Sequence, residues 1–330
     1  MWQHICFTYC PSTTDYNISE AEITASDGNN ISSAIDFRKN YQSGWSLRAG
    51  GKFLSSERNS FFTGKDLLTA TISTTDWNYR ENICGGYLGT SKDIGSLYLY
   101  FSLRAENTGI DGEARGSGKT TKNYTDWFPY FYMSYSTNKK YNYSLSYNRT
   151  IYRPAFSLMN GYVNRVSDVL YDRGNPELQA ELTDVLDFTV SHDRHSASLK
   201  YRYKPKAITE LFEVVDGITY HTNVNYGTIS SATLNYSYSG NLFGWWQTNF
   251  YLAGFYTRIP KSYNKKELFG SLVSWNNRMT WQEVGSLSMG FFYTSPTING
   301  NSYQKGYASL DLSVERSFCN NALNLQVGMD

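Results

Sequence analysis

The sequence predicts an all-β fold, an antiparallel transmembrane β-barrel, and three observations carry that expectation. Apolar and polar side chains alternate with a period of two over most of the chain. Aromatics make up 17% of the 330 residues, with 29 Tyr, 18 Phe and 8 Trp, while charged residues make up 18%. That charge content lies below the roughly 25% of ordinary soluble domains. Short polar connections also take turns with long ones, as the two ends of a membrane barrel require. The mean hydropathy is −0.50, and no apolar run approaches the roughly 18 residues of a spanning helix, which excludes a helical membrane protein. Disordered chains are poor in aromatics, so that class is excluded too. With 30 Lys+Arg against 29 Asp+Glu, the charge gives no reason to expect a nucleic-acid partner.

Taken in order, the first twenty residues carry no barrel pattern, so 1–29 reads as a non-barrel or misassigned start and 30–330 as one partial barrel domain. Residues 31–40 are the first expected strand. Tyr141, Tyr143, Leu145 and Tyr147 then alternate with Asn142, Ser144, Ser146 and Asn148. Leu186, Phe188 and Val190 alternate with Asp187, Thr189 and Ser191, and Ala197, Leu199, Tyr201 and Tyr203 with Ser198, Lys200, Arg202 and Lys204. Ala308, Leu310, Leu312 and Val314 form a later stripe, and Leu323, Leu325, Val327 and Met329 the last. Short turns are expected at 41–44, 91–95, 137–140, 192–195, 239–244, 282–285 and 318–321. Long loops are expected at 57–76, 108–125, 152–179, 206–227, 259–268 and 297–304. The strands between them number about fourteen. Ten residues at about 3.3 Å each, tilted by about 45°, rise roughly 23 Å, close to the apolar band of a membrane barrel. A soluble β-sandwich would alternate as well. The membrane is favoured by aromatics at strand ends, such as Trp45, Trp127, Trp245 and Trp281, and by ionic residues in mid-strand on the polar face.

Chemistry-bearing motifs are scarce. Cys6, Cys10, Cys84 and Cys319 fit no zinc spacing and read as incidental. His192 and His195 fall in a polar turn, where solvation explains them better than a metal does. Gly116-Ser117-Gly118-Lys119-Thr120 resembles the end of a phosphate loop, but Glu113 stands where the motif needs its first Gly. No catalytic constellation is visible. The chain is expected to be no enzyme and to hold no cofactor and no metal.

One stretch is specific: Ser146-Tyr147-Asn148-Arg149-Thr150-Ile151-Tyr152-Arg153-Pro154, then Leu158-Met159-Asn160, then Gly174-Asn175-Pro176-Glu177-Leu178-Gln179-Ala180-Glu181. It resembles the outer-membrane β-barrel family found in the C-terminal barrel of TonB-dependent receptors of Gram-negative bacteria. Ala180 replaces a Pro of that pattern, Arg173 precedes the Gly, and Gly161 stands where Pro is frequent, while the spacing is kept. Trp45-Ser-Leu-Arg-Ala-Gly-Gly-Lys, Tyr79-Arg-Glu-Asn-Ile and Leu103-Arg-Ala-Glu-Asn-Thr are similar to further strands of the family. Arg149, Arg153, Pro154, Asn160, Gly174, Asn175, Pro176, Leu178 and Glu181 are the matching motif residues, read as structural. Pro154 cannot donate to a ladder and should end its strand, and Gly174-Asn175-Pro176 should turn the loop back.

The resemblance implies the barrel of an importer in the cell outer membrane, of about 22 strands when whole, with no plug domain in this stretch. It implies outer-membrane lipid as surroundings, an inner-membrane energy-coupling complex as partner, and an extracellular small-molecule or oligosaccharide substrate. Strand parity then makes the short turns periplasmic and leaves one strand to follow residue 330. As a fragment, the chain is expected to be inactive. The runner-up is a non-transporting surface adhesin or carbohydrate-binding β-protein. Tyr162, Tyr171, Phe212, Tyr220 and Tyr226 could stack on sugars in either case.

Overall fold

The computed structural model describes residues 2–12, 15–66, 72–114, 118–137, 140–159, 163–262, 265–282, 284–318 and 323–329. In chain order the elements are β1 (Trp2–Ser12), β2 (Asp15–Asn40), β3 (Trp45–Asp66), β4 (Ile72–Ile94), β5 (Leu97–Ala114), β6 (Gly118–Ser136) and β7 (Tyr141–Tyr152). A connecting segment carries α1 (Phe156–Met159), β8 (Val163–Ser167) and β9 (Leu170–Arg173). Then follow β10 (Glu181–His192), β11 (His195–Val215), β12 (Ile218–Phe243), β13 (Trp246–Arg258), β14 (Glu267–Trp281) and β15 (Gly285–Thr294). A small hairpin of β16 (Thr297–Asn299) and β17 (Ser302–Gln304) precedes β18 (Tyr307–Phe318) and β19 (Leu323–Met329).

Strands β1 to β7 pair antiparallel in sequence order. Strand β7 then pairs with β10, and the ladder continues through β15. It ends as β15–β18–β19. The fourteen strands expected from the sequence are β2–β7, β10–β15, β18 and β19. The sheet is open, and among the described residues no pairing joins β19 to β1.

Alternation sorts the two faces. Outward stand Ile35 (75% exposed), Phe37, Leu88, Phe101, Leu186, Leu199 and Leu234. Register partners share a face, so the belt runs unbroken through Leu234, Leu199, Phe188 and Leu145 on four neighbouring strands. The opposite face is polar. There the Tyr87 hydroxyl donates to Asp36 at 2.6 Å, and Lys200 pairs with Asp187 at 2.9 Å. An apolar exterior with a polar interior is the reverse of a soluble fold, and it suits hydrocarbon outside and water within.

Three of the expected long loops are strand instead. Much of 57–76 and 108–125 belongs to β3, β4, β5 and β6, and 206–227 forms the far half of the β11–β12 hairpin. Hydrogen bonds within a hairpin satisfy every backbone group, so a strand that rises above the bilayer needs no apolar stripe. That hairpin closes on the two-residue turn Asp216-Gly217, with φ of 51° and 80°, the left-handed pair of a type I′ turn. The boundary expected at 29–30 falls inside β2, which pairs with β3 continuously from Glu20–Asp66 to Asn40–Ser46. Its polar run Asp27-Gly28-Asn29-Asn30 has no lipid-facing pattern, yet the ladder passes through it. The expected turn at 318–321 lies largely outside the described residues.

Candidate functional site

At the end of the wall opposite the short turns, the strands stop at unequal heights. Strands β7 and β10 end at Tyr152 and Glu181, whereas β6 begins twelve residues above its first β7 partner (Gly118 against Tyr130) and β11 runs on to Val215. A notch opens between two raised hairpins. The segment 153–180 folds into it, and seven of the nine motif residues lie in or beside it; Arg149 stands on the outward face, and Asn160 lies outside the described residues.

Arg153 leaves the strand first. Its Nη2 donates to Glu106 Oε2 at 2.8 Å and to Thr108 Oγ1 at 3.0 Å, so the loop is tied to the inner face of β5. Thr108 is fully buried there. Pro154 follows, buried, at the point where the β7 ladder ends. Phe156 of α1 meets Tyr79 and Trp77 at ring-centroid distances of 5.4 and 6.3 Å. Trp77, Tyr79, Ile110, Met159 and Leu178 form one buried cluster, in which Leu178 is only 1% exposed.

The turn after Gly174 is built by Asn175. Its Oδ1 accepts the Glu177 N–H at 3.0 Å, and its Nδ2 donates to the Asn223 carbonyl of β12 at 2.9 Å. The side chain thus makes the local turn and reaches the neighbouring wall. From the other side, Lys122 of β6 donates to the carbonyls of Pro176 and Leu178 at 2.6 and 2.7 Å. Asn225 of β12 acts like a strand partner: its Oδ1 accepts the Gln179 N–H at 2.7 Å and its Nδ2 donates to the Gln179 carbonyl at 2.9 Å. Glu181 closes the notch. It is buried, accepts Lys204 Nζ at 2.7 Å, and accepts the Ile208 N–H at 2.8 Å beside the register shift between Lys204 and Ala207.

Arg149 stands apart from this group. It pairs through two hydrogen bonds, at 2.8 and 3.0 Å, with Asp184, its register partner on β10. Tyr147 donates to the same carboxylate at 2.6 Å. These side chains share the outward face with Tyr203, at the rim of the apolar belt.

Burial shapes the ionisation of the notch. It pushes the Tyr79 hydroxyl well above the usual tyrosine range, and raises Tyr124 against the opposing charge of Arg153. It raises the Glu81 carboxyl too, against Arg153 and Arg58. It lowers Lys122, against the pull of Glu177. A cavity of about 490 Å³ lies between Lys122 and Tyr124 on one side and Pro154, Met159 and Lys206 on the others. Its lining is mixed, with Asp126, Glu177 and two lysines among apolar atoms.

The aromatics singled out for stacking divide. Phe212 is 54% exposed, and Tyr171 and Tyr220 meet at 5.7 Å with Arg173 over the Tyr220 ring. Tyr226 is instead buried against Ile259 and Ile298, with its hydroxyl on the Lys261 carbonyl and Asn301, so it offers no ring face to a sugar. Tyr162 lies outside the described residues. Cys84 is an exposed free thiol. Among the described residues no group of His, Cys, Asp or Glu is arranged to hold a metal ion.

An antiparallel ladder with an apolar outer belt, a polar inner face and a packed rim defines an outer-membrane β-barrel. The family comparison agrees: the chain belongs to the outer membrane protein beta-barrel family, whose model matches residues 8–330. Its place is the cell outer membrane. Among solved structures it is similar to the copper transporter OprC, at 12% identity and a TM-score of 0.67 over 93% of this chain and 51% of that one. It is similar to the ferric citrate transporter FecA in its unliganded form, at 10% identity and 0.64 over 99% and 52%. A third is the ferric yersiniabactin uptake receptor FyuA from Yersinia pestis, at 12% identity and 0.58 over 93% and 48%. The chain therefore spans about half the length of these structures. No curated protein matches it.

Proposed function

We propose that the chain is the barrel portion of a TonB-dependent-type outer-membrane receptor for nutrient uptake and carries no enzymatic activity. The observation that carries this reading is the inner face. Charged and aromatic side chains line it (Arg48 over the Tyr100 ring, Arg104 over Phe128, Asp36 on Tyr87), so the lumen is built to hold water and polar cargo rather than a dry core. The whole receptor would draw energy from an inner-membrane complex and take an extracellular small molecule or oligosaccharide. Metal and ferric-chelate transport by the proteins of similar fold makes chelated metals the first substrates to try. Arg153, Pro154, Gly174, Asn175, Pro176, Leu178 and Glu181 serve this function structurally, by closing the wall at the mouth, and Arg149 by tying β7 to β10 through Asp184.

The test is deletion of the gene followed by uptake assays with copper, ferric chelates and oligosaccharides, each with and without an uncoupler. Energy-dependent uptake lost on deletion supports import. Unchanged uptake together with lost adhesion to glycans favours the surface-adhesin reading, for which exposed Phe212 and the Tyr171–Tyr220 pair supply stacking faces.

A further inference from the structure

On the outward face, at the short-turn end of the wall, an apolar groove of about 610 Å³ runs across β11, β12, β13 and β14. His195, Tyr236, Tyr238, Leu242, Phe250 and Trp275 line it. Its floor is pinned: the Trp275 indole N–H donates to buried Thr248 at 3.0 Å, and the Tyr236 hydroxyl meets His195 Nδ1 at 2.8 Å. Tyr236 and Tyr238 share their face with Leu234, so the groove opens towards lipid tails.

A cation is placed over its end. Arg194, in the tight turn between β10 and β11, donates from Nη1 to the Asn241 carbonyl at 2.8 Å. Among the described residues this is its only side-chain bond, and a guanidinium has five donors. The aliphatic stem lies across bare Gly240, where a Cβ would come within 2.4 Å of Arg194 Cδ. Gly240 stands between Tyr238 and Leu242 on the same face, so the backbone gap aims the arginine along the groove. Exposed Asp193 and Lys140 carry charge in the turns beside it.

We propose that this groove holds one anionic phospholipid of the adjoining leaflet, its acyl chain along the aromatic floor and its phosphate on Arg194. The assignment rests on the reading of the chain as a membrane barrel with its short turns at one interface. Charge chooses the headgroup: an interfacial guanidinium with donors to spare attracts a phosphate with net negative charge and gains less from a zwitterion. Shape chooses the tail, since the surrounding belt offers bulk lipid a flat surface and this site a recess.

The experiment places the chain, with whatever flanks it in its gene, in vesicles of phosphatidylglycerol and phosphatidylethanolamine in equal parts. Lipid that stays with the protein after detergent release is then counted by native mass spectrometry. The wild type is expected to retain phosphatidylglycerol preferentially. Arg194→Gln should cut that preference about fivefold, the effect of one interfacial cation. Gly240→Val, which pushes the arginine off its carbonyl, should do the same. Arg38→Gln removes a cation at the same rim but on the inner face, and should leave the preference unchanged. Equal retention in Arg194→Gln, or an equal loss in Arg38→Gln, overturns the site while leaving the barrel standing. Failure of the wild type to enter vesicles overturns the barrel reading, and the site falls with it.

Discussion

The belt and the mouth of this wall are held by different forces, although the same strands build both. In the belt, Leu186, Leu199 and Leu234 face outward, and lipid rather than protein covers them. Order there comes from the ladder, in which these strands pair with a neighbour on each side. At the mouth the strands stand clear of lipid and end at unequal heights, so a notch must be closed by side chains. Trp77, Tyr79, Ile110, Met159 and Leu178 supply a small dry core, and Arg153, Asn175 and Glu181 supply hydrogen bonds that a missing strand would have made. Truncating a side chain should therefore be cheap in the belt and costly at the mouth.

Leu178→Ala breaks that comparison most directly. It opens a hole in a core with no lipid to refill it, at a cost of about 2–5 kcal/mol. The expected result is a lower unfolding temperature and rapid proteolysis within 153–180. Leu234→Ala, at a site 61% exposed towards lipid, should leave loop proteolysis unchanged. Equal loop cleavage in the two variants would show that no separate mouth core exists.

Arg153→Ala comes next. It strips both Glu106 and buried Thr108 of a charged donor, a loss of roughly 2–3 kcal/mol for a partly buried pair. Arg153→Lys should recover only part of it, because an ammonium lacks the planar fork that reaches both acceptors. Thermal unfolding monitored by gel mobility reads the ranking, and a lysine variant as stable as wild type would remove the geometric argument.

The belt was legible in the sequence because lipid imposes a period of two on Tyr141–Tyr147, Leu186–Val190 and Ala197–Tyr203, and strand count followed from it. The mouth was legible only through the Arg153-Pro154 and Gly174-Asn175-Pro176 motifs. Above the bilayer no solvent distinguishes one strand face from the other, so polar stretches such as 206–227 read as loops although Asp216-Gly217 between Val215 and Ile218 is a hairpin signal. Tyr226 shows a second limit. Its burial depends on Ile259 and Ile298 from two later connections, and no local pattern announces that meeting. Lys122 and Asn225 likewise act through partners about fifty residues away.

A smaller effect is expected from pH. Half-buried Glu81 sits above the belt, paired in register with Ile110, and burial raises its carboxyl above the ordinary range. Below the ordinary range the group is protonated both in the folded mouth and in the opened one, so it exacts no penalty. As pH rises through the window between the ordinary and the raised value, the opened form ionises freely and the folded form resists, so stability is lost. Glu81→Gln should therefore firm the mouth at neutral pH by less than about 1 kcal/mol, given the solvent screening of a half-exposed group. Limited proteolysis of 153–180 at pH 7 and at pH 4 checks the sign. A variant more resistant at pH 4 than at pH 7, relative to wild type, would reverse it.

The smallest effect belongs to the tip of the β11–β12 hairpin, where neither lipid nor the notch core reaches. Gly217 adopts a φ of 80°, and an alanine there meets the left-handed penalty of about 1–2 kcal/mol. Nothing lies within 4 Å of a Cβ at that position, so the cost is backbone strain alone and steric relief cannot add to it. The strain can be released by fraying the last pair, Val215–Ile218, above Thr219, whose N–H holds the Val169 carbonyl of the loop, and without disturbing Asn223 or Asn225, which hold the loop lower down. Gly217→Ala should therefore speed amide exchange at 215–218 and leave loop proteolysis and global unfolding as in wild type. Slower exchange at the tip would remove the strain argument, and faster cleavage of 153–180 would mean that the raised hairpin and the notch form one cooperative unit instead of two.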